Sequence, residues 1–292
     1  MLIIIEKDDA AVTARAYAWL CARMHRTPRI VLGLATGSTP LRLYKAMVEG
    51  YQRGELDFSA VITFNLDEYI GLSRTHPQSF YHFMHEHLFA HVNLRPENIH
   101  CLDGLPDDVE AHCEAYEAAI RAAGGIDVQI LGIGRDGHIG FNEPTSSLRS
   151  RTRGKTLTRE TIEDNRRFFG PGEDVPRWAL TMGVGTILEA REILLLACGP
   201  AKARAVAAMA EGAVTALCPA SALQLHPRVT VVCDEAAAAG LQYQEYYRWM
   251  QEHDYRMQEV LRHGVHMNAW ADIVLEHPEL LGELPRDIVM LN

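Results

Sequence analysis

The chain has 292 residues, of which 48% are hydrophobic and 23% are charged, and its formal net charge at pH 7 is −10. This composition is average for a soluble globular protein and lacks the strongly basic footprint of nucleic-acid-binding proteins. No apolar run approaches the roughly 20 residues that span a bilayer. We therefore expect neither a nucleic-acid partner nor a membrane partner.

The six cysteines are dispersed along the chain, and none stands in C-x-x-C spacing. This pattern argues against a zinc ribbon or a thioredoxin-like motif and favours reduced, buried thiols over disulfides. The apolar run at the start, MLIII, is too short for a signal peptide and is soon followed by acidic residues. These features predict a cytoplasmic location.

Short runs rich in Val, Ile and Leu alternate with amphipathic stretches along the chain. The predicted strands are Arg29–Ala35, Ala60–Phe64, Asp127–Gly132, Glu192–Ala197 and Arg228–Cys233. The predicted helices are Ala10–Met24, Leu41–Glu49, Asp107–Ala123, Ala201–Ala210 and Glu235–Gln251. This alternation predicts a single α/β domain over residues 1–250, with an open, mainly parallel, Rossmann-like sheet and helices on both faces. We expect residues 251–292 to form a helical or partly ordered C-terminal extension.

Ligands of open parallel sheets bind beyond the carboxyl ends of the strands, so the residues after each predicted strand are candidates for a site. The first strand is followed by Thr36, Gly37, Ser38 and Thr39, and then by Pro40 and a helix. Glycine allows a sharp turn, and free N–H groups at a helix start, together with three hydroxyls, form a cradle for an anion. An ordinary turn in which Thr39 caps the helix explains the same residues equally well.

Two adjacent carboxylates, Asp67 and Glu68, follow the second predicted strand. One interpretation makes one of them a general base that reaches into the cleft. The other interpretation is that both are solvated or cap a helix. The sequence leaves both interpretations open.

A glycine-rich loop follows the third predicted strand, and its Gly132, Gly134 and Gly137 match the pattern G-x-G-x-x-G. A dinucleotide site requires a helix directly after this pattern, whereas HIGFNEP contains a glycine and a proline that disfavour one. The stretch about 20 residues further on, SRTRGK, is basic, whereas that site needs an acidic ribose ligand. A nicotinamide cofactor is therefore disfavoured.

The same loop carries Asp136, His138 and Glu143 within eight residues. A histidine held between carboxylates suits proton transfer near neutral pH. These residue types also bind metals, and a histidine with satisfied hydrogen bonds is a third interpretation.

A second histidine-rich segment lacks H-E-x-x-H spacing and is interpreted as a mixed helix surface: His82, His85, His87 and His91.

Two cations fit a phosphorylated substrate, although each taken alone is typical of a solvated surface charge. Arg167 stands in the segment NRRFF, and Lys202 follows Gly199-Pro200 after a predicted strand. A lysine at a helix start gains weight as an anion ligand because the helix dipole already favours negative charge there.

Eight segments carry a family resemblance, and they occur in order between residues 2 and 249: LGLATGSTP, FNLDEYIGL, SFYHFMHEHLF, GIGRDGHIGFNEP, SRTRGKTLT, NRRFF, ALTMGVGTIL and LQLHP. Together they resemble the glucosamine-6-phosphate deaminases of the glucosamine/galactosamine-6-phosphate isomerase family. The resemblance implies that glucosamine 6-phosphate and water are converted to fructose 6-phosphate and ammonia. It implies no metal and no organic cofactor.

The resemblance also implies roles for individual residues. Asp67 would move the proton between C2 and C1 of the sugar. His138 would open the pyranose ring, with Asp136 and Glu143 as its partners. The residues implied to bind the substrate phosphate are Thr36, Gly37, Ser38, Thr39, Arg167 and Lys202.

Some bacterial members of the family are hexamers that N-acetylglucosamine 6-phosphate activates at a subunit interface, so the resemblance implies a homo-oligomer with a second anion site. The matching positions are Ser146, Arg153, Lys155 and Thr156. Regulated members also use a C-terminal tyrosine. An ungapped match puts Arg248 at that position, after Tyr246 and Tyr247.

Three other functions compete with this interpretation. A 6-phosphogluconolactonase would share the fold and a D-G-H loop, but would not carry Asn142-Glu143-Pro144. A galactosamine-6-phosphate deaminase would share the mechanism, because the contact to the sugar C4 cannot be read from the sequence. A sugar-phosphate sensor of a transcriptional regulator would need a helix-turn-helix before the first predicted strand, where only 28 residues are available.

Overall fold

Strands and helices alternate along residues 1–253, the part of the chain that the structure, a computed structural model, describes. In chain order they are β1 (Leu2–Glu6), α1 (Asp9–Arg26), β2 (Val31–Leu34), α2 (Ser38–Gln52), β3 (Ile62–Asn65), β4 (Asp67–Tyr69), α3 (Phe80–His87), β5 (Ile99–His100), α4 (Val109–Ala122), β6 (Val128–Leu131), β7 (Arg153–Thr156), α5 (Arg159–Arg166), β8 (Trp178–Thr181), α6 (Val184–Leu188), β9 (Glu192–Ala197), α7 (Ala203–Glu211), β10 (Val229–Asp234), α8 (Glu235–Ala238) and α9 (Gln244–His253). Among these residues no helix is both long and apolar enough to cross a membrane.

Seven strands form the main sheet in the order β1-β10-β9-β6-β2-β3-β5, and all neighbouring strands in it run parallel. A smaller antiparallel sheet has the order β4-β8-β7. On one face of the main sheet α1, α2 and α3 pack on side chains such as Leu194, and on the other α4, α6, α7 and α8 pack on side chains such as Leu195. The predicted open, mainly parallel sheet with helices on both faces is confirmed.

The five predicted strands lie within two residues of their observed bounds, and β9 has the predicted bounds, Glu192–Ala197. Burial on both faces explains this agreement, because such strands are continuous runs of apolar residues. The two edge strands, β1 and β5, and the small sheet were not predicted. The division into a domain over residues 1–250 and an extension stays a prediction, because residues 254–292 lie outside the described residues.

The predicted helix Glu235–Gln251 is wrong as a single helix, because α8 ends at Ala238 and α9 begins at Gln244. Between them the N–H groups of Gln242 and Tyr243 donate to the carboxylate of Glu211 on α7. A side chain from another element thus takes the backbone donors that a continuous helix would have used. That competition is invisible to helical periodicity.

Four strand ends meet at one edge of the main sheet, because β9, β6, β2 and β3 are consecutive neighbours. The segments that follow these strands begin at Cys198, Gly132, Ala35 and Leu66. The loops singled out in the sequence therefore lie side by side, where open α/β sheets bind their ligands.

Glu117 on α4 ties the main sheet to the segment that enters β7. Its carboxylate is 6% exposed and accepts hydrogen bonds from Thr152 N, Thr152 Oγ1 and Thr186 Oγ1, at 2.9, 2.6 and 2.6 Å. Arg151 Nη2 also donates to it, at 2.5 Å. Burial opposes ionisation, but the bonds from Thr152, Thr186 and Arg151 outweigh it and lower the pKa of Glu117.

We expect Glu117→Gln to lower the free energy of unfolding by about 2–3 kcal/mol at pH 7, because it removes a buried, hydrogen-bonded charge. A carboxyl group whose pKa is lower in the folded state stabilises the protein above its unfolded pKa. The difference between the variant and the parent should therefore shrink as the pH falls through the folded pKa of Glu117. Urea denaturation at several pH values measures it, with exposed Glu114→Gln on the same helix as the control. Equal losses in both variants would contradict the assignment.

Candidate active site

The loop after β2 leads into a helix start that no side chain caps. Gly37 has a φ of 117°, a conformation that L side chains rarely adopt, and it precedes the 15-residue helix α2. The alternative in which Thr39 caps the helix is wrong, because the helix already begins at Ser38. The first N–H groups of α2 therefore remain available to a ligand.

Asp67 is the first residue of β4, two residues beyond the end of β3, and is only 6% exposed. Among the hydrogen bonds of residues 1–253, none reaches its carboxylate. Burial, and then the negative charge of Glu68, raise the pKa of Asp67 well above its usual value. A carboxylate with a raised pKa is a stronger base, as proton abstraction from carbon requires.

Glu68 has a different role, although it is adjacent in the sequence. Its carboxylate accepts hydrogen bonds from Ser79 Oγ and from the N–H groups of Phe80 and Tyr81, at 2.7, 3.0 and 3.0 Å, so it binds the start of α3. Burial raises the pKa of Glu68, and these donors oppose that rise. Of the two carboxylates that the sequence left open, Glu68 is the helix cap and Asp67 is the free one.

Asp136, His138 and Glu143 come together in the loop after β6. Nδ1 of His138 lies 2.7 Å from Asp136 Oδ1 and 3.5 Å from Glu143 Oε2. Neither Nδ1 nor Oε2 has an aligned hydrogen-bond partner, although both atoms are buried. Burial opposes the ionisation of Asp136, but the adjacent imidazole outweighs it and lowers the pKa of Asp136 to about 2. Nδ1 of the ring thus lies against a carboxylate that is ionised at neutral pH.

The same three side chains are the group in residues 1–253 that fits a metal ion, since one ligand atom from each lies within 4.8 Å of the others.

The sequence interpretation of the histidines near α3 as a helix surface agrees with their contacts. His85 stacks on Tyr81, and His91 Nε2 lies 2.8 Å from Glu86 O.

The G-x-G-x-x-G pattern does not form a dinucleotide loop. Gly137 turns with a φ of 87° and its N–H donates to Gly134 O at 3.1 Å. In the part of the chain that the structure describes, the next helix after this loop is α5, which begins at Arg159. The helix start that would bind a pyrophosphate is therefore missing from this position.

The two predicted cations lie on different elements. Lys202 is half-buried and ends a short turn between β9 and α7. Burial lowers the pKa of Lys202, and the nearby carboxylate of Asp164 opposes that effect. Arg167 is exposed at the end of α5, with its guanidinium carbon 4.7 Å from the ring centre of Phe168.

The predicted second anion site lies partly on the outer strand β7. Arg153 and Lys155 alternate with Gly154 and Thr156, so the two cations share one face and Thr156 points to the other. Ser146 is 3% exposed, and its Oγ has no hydrogen-bond partner. Among the described residues, no hydrogen bond joins Ser146 to this strand.

Sequence reasoning missed Asn142, which links the loop after β6 to β7. Its side-chain Oδ1 accepts a hydrogen bond from Arg153 Nη1 at 2.9 Å, and its Nδ2 donates to the carbonyl oxygens of Ile139 and Met182. The side chain is fully buried. The only signal in the sequence was the position of Asn142 beside Glu143.

A cavity of about 460 Å³ opens beside His138. Its walls are formed by the loop after β6, by one side of α5, and by the start of α7 together with residues 217–218. Its walls are mixed: the charged side chains of Arg135, Asp136 and Asp164 lie beside apolar ones such as Ala205 and Leu217. Such walls suit a ligand that carries both polar groups and apolar surface.

The sequence model of a known family matches residues 7–232 of this chain. Its description is glucosamine-6-phosphate isomerases/6-phosphogluconolactonase. This chain belongs to that family. Within the family, the glucosamine-6-phosphate deaminase of Hahella chejuensis is 55% identical over 256 residues, which cover 87% of this chain and 98% of the relative. The glucosamine-6-phosphate deaminase of Shewanella loihica is 53% identical over 258 residues, which cover 88% and 96%.

Solved structures agree with this family membership. A monomeric glucosamine-6-phosphate deaminase superposes with a TM-score of 0.80 and 41% identity, covering 82% of this chain and all of the other. A 6-phosphogluconolactonase from Trypanosoma cruzi superposes with a TM-score of 0.66 at 20% identity, covering 82% and 97%. The second likeness shows the shared fold alone. The resemblance identified from the sequence is confirmed.

Proposed function

We propose that this protein is an enzyme that converts glucosamine 6-phosphate and water to fructose 6-phosphate and ammonia. The observation that carries the proposal is the pair of candidate catalytic groups at the ends of the two strands that flank β2. A free buried carboxylate, Asp67, lies after β3, and a carboxylate-held histidine, His138, lies after β6. The identity of 50–55% to relatives named glucosamine-6-phosphate deaminase supports the same reaction.

Ring opening is the work of His138. Opening a pyranose removes a proton from the anomeric hydroxyl and delivers one to the ring oxygen. An imidazole performs both transfers when one ring nitrogen is fixed and the other faces the sugar. Asp136 fixes Nδ1, which leaves Nε2 as the nitrogen that exchanges the proton. Glu143, buried on the same side, supports the positive charge that the ring acquires.

Isomerisation and loss of ammonia follow at C2 and depend on Asp67. The aldehyde of the open chain acidifies the C2 hydrogen, and the Asp67 carboxylate removes it to give an enolamine. The resulting carboxylic acid returns the proton to C1, which leaves an imine at C2. Water adds to that imine carbon, the C–N bond breaks, and ammonia departs with the ketone of fructose 6-phosphate left behind. One carboxylate therefore serves as base and acid in turn.

The phosphate group positions the sugar and takes no part in bond making. The proposed ligands are the N–H groups and hydroxyls of residues 36–39, with Arg167 and Lys202 adding charge. Binding energy from this remote group holds C1 and C2 against the catalytic side chains. No metal or organic cofactor enters the proposed reaction.

Ammonia release by the purified protein tests the proposal, with glucosamine 6-phosphate, galactosamine 6-phosphate and 6-phosphogluconolactone compared in parallel. We expect release of ammonia from glucosamine 6-phosphate and no hydrolysis of the lactone. Release from galactosamine 6-phosphate alone would keep the mechanism and correct the substrate. Lactone hydrolysis without deamination would overturn the proposal.

We further propose that the protein acts in the cytoplasm. The cysteines support this location, because all six are free thiols. Cysteines that all remain unpaired are typical of proteins in reducing compartments, whereas secreted proteins tend to pair theirs.

We also propose that the protein has a second anion site and forms a homo-oligomer. By analogy with the regulated members of the family, this oligomer is a hexamer. The proposed ligands are Ser146, Arg153, Lys155 and Thr156. We expect N-acetylglucosamine 6-phosphate to lower the half-saturating concentration of substrate, because an anion on Arg153 acts on Asn142 in the catalytic loop. Initial rates measure this effect, and light scattering measures the oligomer.

Lys155→Gln is the matched variant for this regulatory prediction. It removes one charge from the proposed second site and leaves the catalytic loop intact. The variant should keep basal turnover and lose most of the response to N-acetylglucosamine 6-phosphate. Hyperbolic kinetics that this compound does not change in the parent protein would contradict a functional second site.

A further inference from the structure

The short helix α5 is held to the rest of the protein by the apolar packing of Ile162 and by a small set of polar contacts. It has eight residues, and Thr161 is its buried residue. Its start is capped by Thr158, whose Oγ1 accepts from Thr161 N at 3.2 Å. Helices of this length are marginal in isolation, so contacts with other elements decide where α5 lies.

Two of those contacts reach the catalytic loop. At the start of α5, Thr158 N donates to Glu143 Oε1 at 3.3 Å. Six residues later, the guanidinium of Arg135 donates two hydrogen bonds to the carboxylate of Asp164, Nη2–Oδ1 at 2.5 Å and Nε–Oδ2 at 3.0 Å. Arg135 directly precedes Asp136. The two contacts, one at Glu143 and one at Arg135, therefore join α5 to both ends of the loop that carries His138.

Arg167 is the C-cap residue of α5 and directly follows its last residue, Arg166. The position of its guanidinium therefore depends on the position of α5. Asp164 also lies close enough to Lys202 to act on its charge, together with Arg135 and Arg167. The proposed phosphate cations and the ion pair of α5 thus belong to one group of charges.

We propose that Arg135 and Asp164 are a positioning pair: their ion pair fixes α5 against the catalytic loop and so places Arg167 for the substrate phosphate. This inference rests on the proposed function. The pair acts on binding, because Arg167 contacts the remote phosphate, whereas Asp67 and His138 perform the chemistry.

The expected size of the effect follows from the exposure of the pair. The side chains of Arg135 and Asp164 are 56% and 47% exposed. Ion pairs at that exposure contribute about fivefold at most to an equilibrium constant. If substrate binds only while α5 lies against the loop, apparent affinity scales with the population of that position.

Asp164→Asn and Arg135→Gln test the pair by two measurements. Hydrogen exchange in the substrate-free protein reports the local opening of residues 158–168, and steady-state kinetics with glucosamine 6-phosphate reports KM and kcat. We expect faster exchange in α5, a KM raised about threefold to fivefold and a kcat within about twofold. The charge-swapped double variant, R135D with D164R, should regain much of the parent KM. Glu49→Gln is the control, since it removes the exposed Arg53–Glu49 pair at the end of α2 that is distant from the loop after β2.

Unchanged exchange in both variants would overturn the proposal, because the pair would then not hold α5. Faster exchange with an unchanged KM would also overturn it, because α5 would then not place a phosphate ligand. A lower KM in Asp164→Asn would show instead that Asp164 competes with the phosphate for the cations. Failure of the proposed function is a separate result, seen as no turnover by the parent protein while the exchange measurement stands.

Discussion

Asp67→Asn should lower kcat for deamination by about 10³-fold, which is within the usual contribution of a positioned general base. The amide of asparagine has nearly the shape of the carboxylate but cannot take the C2 proton. Substrate binding should be largely retained, because the proposed phosphate ligands lie on other loops. Ammonia release at saturating substrate measures the loss. Turnover like that of the parent would remove Asp67 from the mechanism.

The melting temperature of the same variant provides a control, because the raised pKa of Asp67 determines the direction in which it should change. The pKa of Asp67 is raised in the folded state, so its ionised form costs stability once the pH exceeds the unfolded pKa. Asparagine carries no charge and removes that cost. We therefore expect Asp67→Asn to melt at the same or a higher temperature than the parent at pH 8, and the advantage to vanish in acid. In the parent, the acid limb of kcat/KM should lie above the usual range of an aspartate.

His138→Gln should lower kcat for glucosamine 6-phosphate by about 10²-fold to 10³-fold. Glutamine can hydrogen-bond to the sugar but cannot transfer a proton, so ring opening loses its catalyst. The loss should be smaller than that for Asp67→Asn, because sugars also open spontaneously in water. Initial rates and product analysis measure it.

The matched control for that variant is His85→Gln, an exposed histidine on α3 that stacks on Tyr81. It should turn over like the parent. Equal losses in the two variants would point to a general effect of histidine removal. An unchanged rate in His138→Gln would contradict the ring-opening role.

Five of the seven strands of the main sheet could be predicted because both of their faces are buried, which leaves a run of apolar residues in the sequence. Strands of the small sheet leave no such run. The β7 sequence, Arg-Gly-Lys-Thr, alternates half-buried and exposed positions and carries two cations. Its pairing with β8, from Arg153 opposite Thr181 to Thr156 opposite Trp178, depends on tertiary contacts.

The site could be predicted as a set of candidates but not as an arrangement. Glycines and strand ends marked the loops, and residue type marked the carboxylates. The choice between Asp67 and Glu68 required knowing that α3 begins where Glu68 can bind its N–H groups. The Arg135–Asp164 pair joins residues 29 positions apart, and no local pattern indicates it.

The reaction of glucosamine 6-phosphate in heavy water, followed by NMR with ammonia measured in parallel, tests the central claim most directly. We predict ammonia and fructose 6-phosphate in equal amounts, with deuterium entering at C1 because the carboxyl group of Asp67 exchanges its hydrogen with solvent during the transfer from C2. Asp67→Asn should form neither product at a comparable rate. Absence of ammonia from the parent protein, or fructose 6-phosphate formed at the parent rate by Asp67→Asn, would contradict the account.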